Sequence, residues 1–165
     1  MTTRGHVALV SVPPAGRKAI LHGILELWEA SVRASHAFLD EDDIEAIRDD
    51  VASAALGVPE LVTAWDSGLA GFMGAAGTML EMLFVRPERF GQGIGTQLVR
   101  HAVGRLGVRQ VDCNEQNPGA LAFYRRLGFA VEGRSAKDGA GRPFPLLHLR
   151  LASVPWHPDA DGFEK

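Results

Sequence analysis

The residues most able to do chemistry in this chain are a glycine-rich turn, a carboxylate set in an apolar strand and a lone tyrosine. Arg89-Phe90-Gly91-Gln92-Gly93-Ile94-Gly95-Thr96 puts a glycine at every second position, just before an apolar run with helical spacing. Such glycines let the backbone turn tightly and expose consecutive N–H groups. A helix start that follows adds about four N–H donors lacking intrahelical partners, together with the positive end of the helix dipole. That cup suits a pyrophosphate, although a purely structural turn could carry the same glycines. Two familiar phosphate loops do not fit. Gly95 is followed by Thr96-Gln97 rather than Lys-Ser/Thr, and Gln97-Leu98 occupies the place of the third glycine of a dinucleotide fingerprint. Glu81 interrupts the apolar segment 78–85, where a charge must be exposed, paired or functional. Tyr124 is the single tyrosine, and Cys113 the single cysteine. Cys113 has no His/Asp partner pattern and reads as a buried small residue.

The elements that must position these groups alternate between strand and helix. Residues 7–12 predict a strand ended by Pro13-Pro14, and 17–34 a helix, with Ile20, Ile24, Leu27, Trp28, Ser31 and Val32 on one face. A second helix should start after Asp40 as N-cap and run to about Leu56, with Glu41, Asp42 and Asp43 against its positive end. Strands at 61–65 and 69–75 flank the turn Asp66-Ser67-Gly68. Another strand, 78–85, stops before Pro87. A helix over 93–106, a strand over 108–113 and a helix from Asn117-Pro118 to Leu127 follow, with Gly128 as its C′ cap. Strands at 129–133 and 146–151 complete one domain over 1–152, and 153–165 reads as a polar tail. Interleaved strands and helices with terminal hairpins imply an α/β (α+β) fold, a mixed sheet covered by helices.

From Met79 to Phe129 the order is apolar strand, V-x-P, G-x-G-x-G, helix, strand, then Asn117-Pro118-Gly119-Ala120-Leu121-Ala122-Phe123-Tyr124 and Gly128-Phe129. This resembles the cofactor-binding core of the GNAT superfamily of N-acetyltransferases over about fifty residues, with both motifs in register. The ends, including Trp28, Ser35-His36, Phe38-Leu39 and Gly141-Arg142-Pro143, are similar to a subgroup of small bacterial GNAT proteins. The resemblance implies a mostly antiparallel twisted sheet of about six or seven strands flanked by about four helices. It also implies acetyl-CoA as co-substrate, with direct transfer of its acetyl group to a primary amine. One departure is Phe90, which stands where the family has Arg or Gln, with Arg89 one place earlier; the pyrophosphate contacts are therefore expected from backbone N–H groups.

By the same resemblance, Gly91, Gln92, Gly93, Ile94, Gly95 and Thr96 cradle the pyrophosphate. Backbone groups of Leu83, Phe84 and Val85 meet the pantetheine arm, and Asn117 touches that arm while also serving as an N-cap. Tyr124 takes the family's acid position beside the thiolate, against the plainer reading of a tyrosine packed between helix and sheet. Glu81 is the candidate base, against simple solvent exposure, and His36 could orient the acceptor or relay a proton. His148 faces the same choice with weaker support. The acidic run 40–43 reads as helix-start charge rather than as an amine attractor.

Composition is that of a globular protein. Hydrophobic residues make up 46% and charged residues 22% of the chain, which excludes general disorder. No apolar run is long enough to span a membrane, and the first residues lack a secretory core, so a cytoplasmic setting is expected. A net charge of −3 gives no reason to expect nucleic acid. No metal site is indicated. The expected partner is a small-molecule or peptide amine, and the expected state a monomer or homodimer. A non-catalytic acyl-CoA sensor on the same fold is the competing reading.

Overall fold

The computed structural model describes residues 6–152; residues 1–5 of the expected domain and the predicted polar tail, 153–165, lie outside the described residues. The elements run β1 (Ala8–Ser11), α1 (Arg17–Ser35), α2 (Glu41–Gly57), β2 (Glu60–Trp65), β3 (Leu69–Ala76), β4 (Met79–Val85), α3 (Ile94–Leu106), β5 (Gln110–Asn114), α4 (Pro118–Arg126), β6 (Phe129–Ser135) and β7 (Leu146–Leu151). The strands form one sheet in the order β1-β2-β3-β4-β5-β7-β6. Every neighbouring pair is antiparallel except β4 and β5. That exception is required by α3, because a parallel pair needs a crossover connection.

Each face of the sheet has its own apolar layer. On one side lie Ile24, Leu27 and Trp28 of α1, Ile44 and Val51 of α2, and Phe72 and Met82 of the sheet. On the other lie Ile94, Leu98 and Val99 of α3, Tyr124 of α4, and Val111, Cys113, Phe129 and Leu149 of the sheet. The helix ends follow the sequence signals. Asp40 and Asp43 cap α2 reciprocally, Asp43 N–H donating to Asp40 Oδ1 at 2.8 Å and Asp40 N–H to Asp43 Oδ2 at 3.1 Å. The acidic run thus has a structural role, while Glu41 also accepts both Arg33 terminal nitrogens at 2.6 and 2.8 Å.

Arg17 has no counterpart in the sequence reading. It opens α1, is 2% exposed, and donates to the carbonyls of Val12 at 3.2 Å, Leu56 at 3.2 Å and Pro59 at 3.3 Å, as well as to Val58. The carbonyls of Leu56, Val58 and Pro59 are at the exit of α2, where a helix leaves its last C=O groups without internal partners. One buried guanidinium therefore pins the end of α2 to the start of α1.

Two irregularities shape the centre. Across β3 and β4 the register steps from Gly74↔Met82 to Ala75↔Leu80, leaving Glu81 as the extra residue of a β-bulge. Residues two apart on a regular strand face one side. Here Leu80 packs in the α3 layer and Met82 in the α1–α2 layer. The second irregularity is that the β4–β5 ladder consists of Met79↔Gln110 and Leu80↔Val111 and then stops. From Glu81 onward the edge of β4 facing β5 is open.

Candidate active site

The opening between β4 and β5 is flanked on one face by the glycine turn and on the other by a pocket. On the α3 face, Gly91 and Gly93 adopt φ of 73° and 87°, and a Cβ built on either would meet no atom within 4 Å. L side chains avoid that backbone region. The open space beside these two glycines is what a ligand approaching the backbone requires. Gly95 has a different reason: its Cβ would lie 3.2 Å from the Phe123 ring, so its absence lets the start of α3 sit against α4. Gly93 N-caps α3 without a side-chain hydrogen bond, so the N–H groups of Ile94, Gly95 and Thr96 occupy the first turn. The donors suit an anion at this point.

Arg89 has another task. It forms an ion pair with Asp66 and donates to Gln92 Oε1 at 2.8 Å, while Gln92 Nε2 donates to the Glu88 carbonyl at 3.1 Å. These side chains brace the turn against the β2–β3 hairpin. Phe90 is 46% exposed.

Leu83 and Val85 pack toward the α3 layer, and Phe84 toward the α1–α2 layer, where its ring lies 5.6 Å from that of Phe72. Asn117 N-caps α4, its Oδ1 accepting from the Ala120 N–H at 3.2 Å. The carboxamide NH₂ remains as the donor end of this side chain. Tyr124 is 6% exposed, its ring set edge-on between Phe123 at 5.1 Å and Phe129 at 5.8 Å. Burial first, and then the neighbouring Cys113, push its phenol well above the ordinary tyrosine range. The hydroxyl therefore keeps its proton at any physiological pH. Cys113 is buried in β5, and desolvation beside Asp112 pushes its thiol up to about 11, as suits an inert packed residue.

On the other face lies a cavity of about 290 Å³. Its floor is Glu81, Met82 and Phe84 of β4 with Asn114 of β5, so it sits over the strand opening. Its walls include Trp28 and Val32 of α1, His36 at its C-cap, and Asp50 and Val51 of α2. Phe38, from the connection between these helices, faces Phe144 of the β6–β7 loop across 5.7 Å. Glu81 is exposed and lines this cavity because the bulge turns it there. His36 Nδ1 is 2.8 Å from Ser35 Oγ, which itself donates to the Ser31 carbonyl at 2.7 Å. Since that serine proton is committed, His36 donates from Nδ1 and keeps a lone pair on Nε2. Burial lowers the His36 pKa, so the ring is neutral at pH 7.

His148 is not among the residues lining this cavity. Its Nδ1 is 2.7 Å from Asp112 Oδ1 and its Nε2 is 2.6 Å from Ser135 Oγ, which makes the ring a bridge across β5, β7 and β6. At the solvent edge of the cavity are Asp50, Asp138 and Arg142. The sequence reading assigned none of these three to the site. They come from α2 and from a loop some 90 residues later in the chain, and nothing in local spacing links them.

A family model described as "Acetyltransferase (GNAT) domain" matches residues 51–131, the stretch containing the bulged strand, the turn and Tyr124. The Peptidyl-lysine N-acetyltransferase YjaB of Salmonella typhimurium is 39% identical over 130 residues, covering 76% of this chain and 88% of that protein. This chain belongs to the GNAT family of acetyltransferases. The solution structure of apo YjaB from Escherichia coli superposes with a TM-score of 0.80 at 32% identity, over 90% of this GNAT chain and 99% of that one. A Salmonella typhimurium protein, yncA, solved with its cofactor acetyl-CoA, has a TM-score of 0.55 at 20% identity, covering 94% and 99% of the two chains, and shares the fold. Among the described residues, seven strands, one parallel pair and four α-helices agree with the GNAT architecture expected from the sequence. Among the described residues of this acetyltransferase, no helix is long and apolar enough to cross a membrane.

Proposed function

We propose that this enzyme transfers the acetyl group of acetyl-CoA directly to a primary amine, the side-chain amine of a peptidyl lysine fitting best. The observation that carries this reading is the opening between β4 and β5, with an anion cup on one face and an acidic, apolar-walled pocket on the other. The two substrates approach from opposite faces and meet at the open strand edge. YjaB is named for peptidyl-lysine acetylation, and its likeness to this chain supports the choice of acceptor.

Acetyl-CoA supplies the acetyl group as a thioester, activated toward an amine. The N–H groups of the 91–96 turn and the first turn of α3 hold the pyrophosphate. The open edge along Leu83, Phe84 and Val85 hydrogen-bonds the pantetheine arm, and an N–H of this edge polarises the acetyl carbonyl. The Asn117 carboxamide NH₂ adds a donor to the same arm. Tyr124, protonated because it is buried, gives its proton to the departing thiolate. An alkylammonium has a pKa near 10.4 and must lose a proton before it attacks. Glu81, facing the pocket from the bulge, accepts that proton directly or through water, and the free Nε2 of His36 provides a second acceptor.

Calorimetric titration with acetyl-CoA, for the wild type and Gly93→Trp, tests the cofactor half. Saturable binding that the substitution abolishes supports the site, because a side chain at this positive-φ position fills the open cup. Release of CoA thiol dependent on a lysine peptide then separates an enzyme from a non-catalytic acyl-CoA sensor. A folded wild type that binds no acetyl-CoA would refute the proposal.

A further inference from the structure

The walls of the acceptor pocket are apolar, but its charges are arranged unevenly. Three carboxylates line it: Glu81 at the floor, Asp50 and Asp138 at the edge. Among the described lining residues Arg142 is the one permanent cation, since burial keeps His36 neutral. Arg142 is already engaged. Its Nη2 lies 2.7 Å from Asp50 Oδ2 and its Nη1 lies 3.6 Å from Asp138 Oδ2. Asp138 is itself fixed, because its Oδ1 accepts the N–H groups of Ala140 at 3.0 Å and of Arg142 at 2.8 Å. The loop is thus tied to itself as well as to α2, and the Phe144–Phe38 contact holds it against the α1–α2 connection.

Resting on the acetyl-transfer reading above, we infer that the Asp50–Arg142–Asp138 cluster is a charge filter. It makes the enzyme select amines on an apolar stem with no carboxylate nearby, such as a lysine within a peptide, over free amino acids. An alkylammonium entering this pocket meets an excess of negative charge. A carboxylate carried beside it meets the same excess and finds the one guanidinium occupied, so it is repelled unless it displaces Asp50 from Arg142. Arg142 would receive a carboxylate in bidentate fashion if it were released, since its fork geometry is suited to that group. Asp50 therefore determines which acceptors are rejected, although it need not touch the reacting nitrogen.

The test uses the full chain and a matched pair of acceptors, Nα-acetyl-L-lysine and its N-methylamide, which differ in the carboxylate alone. Thiol release gives kcat/KM for each. For the wild type the methylamide should be favoured at least about tenfold, with the difference in KM, because like-charge juxtaposition costs more than the ~1.4 kcal/mol that makes a decade. Asp50→Asn frees one side of Arg142 and should reduce the preference to about threefold or less. Arg142→Gln leaves the carboxylates uncompensated and should enlarge it roughly tenfold. Opposite shifts in the two variants are what a filter gives; a merely structural pair would move both in the same direction. Equal use of the two acceptors by the wild type, or shifts of the same sign in the variants, would overturn the inference and leave acetyl transfer standing. No thiol release with either acceptor would instead overturn transfer to lysine, and the filter with it.

Discussion

Replacing Tyr124 by Phe isolates one proton. The ring is held between Phe123 and Phe129 and is 6% exposed, so Phe preserves the packing and removes only the hydroxyl. A positioned general acid contributes about 10²–10⁴-fold to rate. At 1.36 kcal/mol per decade, Tyr124→Phe should raise the barrier by about 2.7–5.4 kcal/mol. If the hydroxyl protonates the leaving thiolate, as proposed, the loss should appear in kcat, with acetyl-CoA affinity by calorimetry within about threefold of the wild type. Steady-state thiol release from pH 7 to pH 10 provides the assay. Burial raises the phenol above its ordinary range, so the wild-type rate should show no alkaline fall due to this residue near pH 10. An unchanged kcat in Tyr124→Phe would refute the assigned role. An alkaline fall near pH 10 that the substitution removes would refute the burial argument.

Glu81→Gln should lower kcat by about 10²-fold if the bulge carboxylate takes the ammonium proton; an unchanged kcat would move that duty to His36. His36 gives a stability prediction with a definite sign. Its folded pKa is depressed by burial, so the unfolded chain binds the proton more readily as pH falls below about 6.5. Stability should be complete above that pH and decline below it toward the folded value, and His36→Gln should flatten this part of a denaturant-midpoint profile. Arg17→Met should destabilise the fold by about 3 kcal/mol, since the buried carbonyls of Val12 and Val58 lose their donor at ~1–3 kcal/mol each and the half-buried ones of Leu56 and Pro59 lose less. Thermal unfolding would then show a midpoint lower by about 6–12 °C; a shift under about 2 °C would mean that water replaces the guanidinium.

What the sequence determined by itself is what local chemistry writes into consecutive residues. The helical spacing of Ile24, Leu27 and Trp28 marks α1, Asp40 marks the start of α2, and Asn117-Pro118 and Gly128 bracket α4, where Gly128 takes a φ of 94°. Gly91, Gly93 and Gly95 are legible for the same reason: backbone conformation and close approach depend on the residue at that position. Together with Tyr124 at its motif distance, they mark the proposed cofactor half of the site. The acceptor half depends on long-range closure. Glu81 could be seen as a charge in an apolar strand, but only the slip in register against Gly74 and Ala75 shows that it faces the pocket. Asp50 and Arg142 are 92 residues apart, and Asp112, Ser135 and His148 come from three strands. Side-chain pairing at such separations follows from strand order and loop path, which hydrophobic period and turn chemistry do not encode. The sequence therefore specified the glycine turn and its flanking helix start, and the tertiary structure decided which side chains line the pocket on the opposite face.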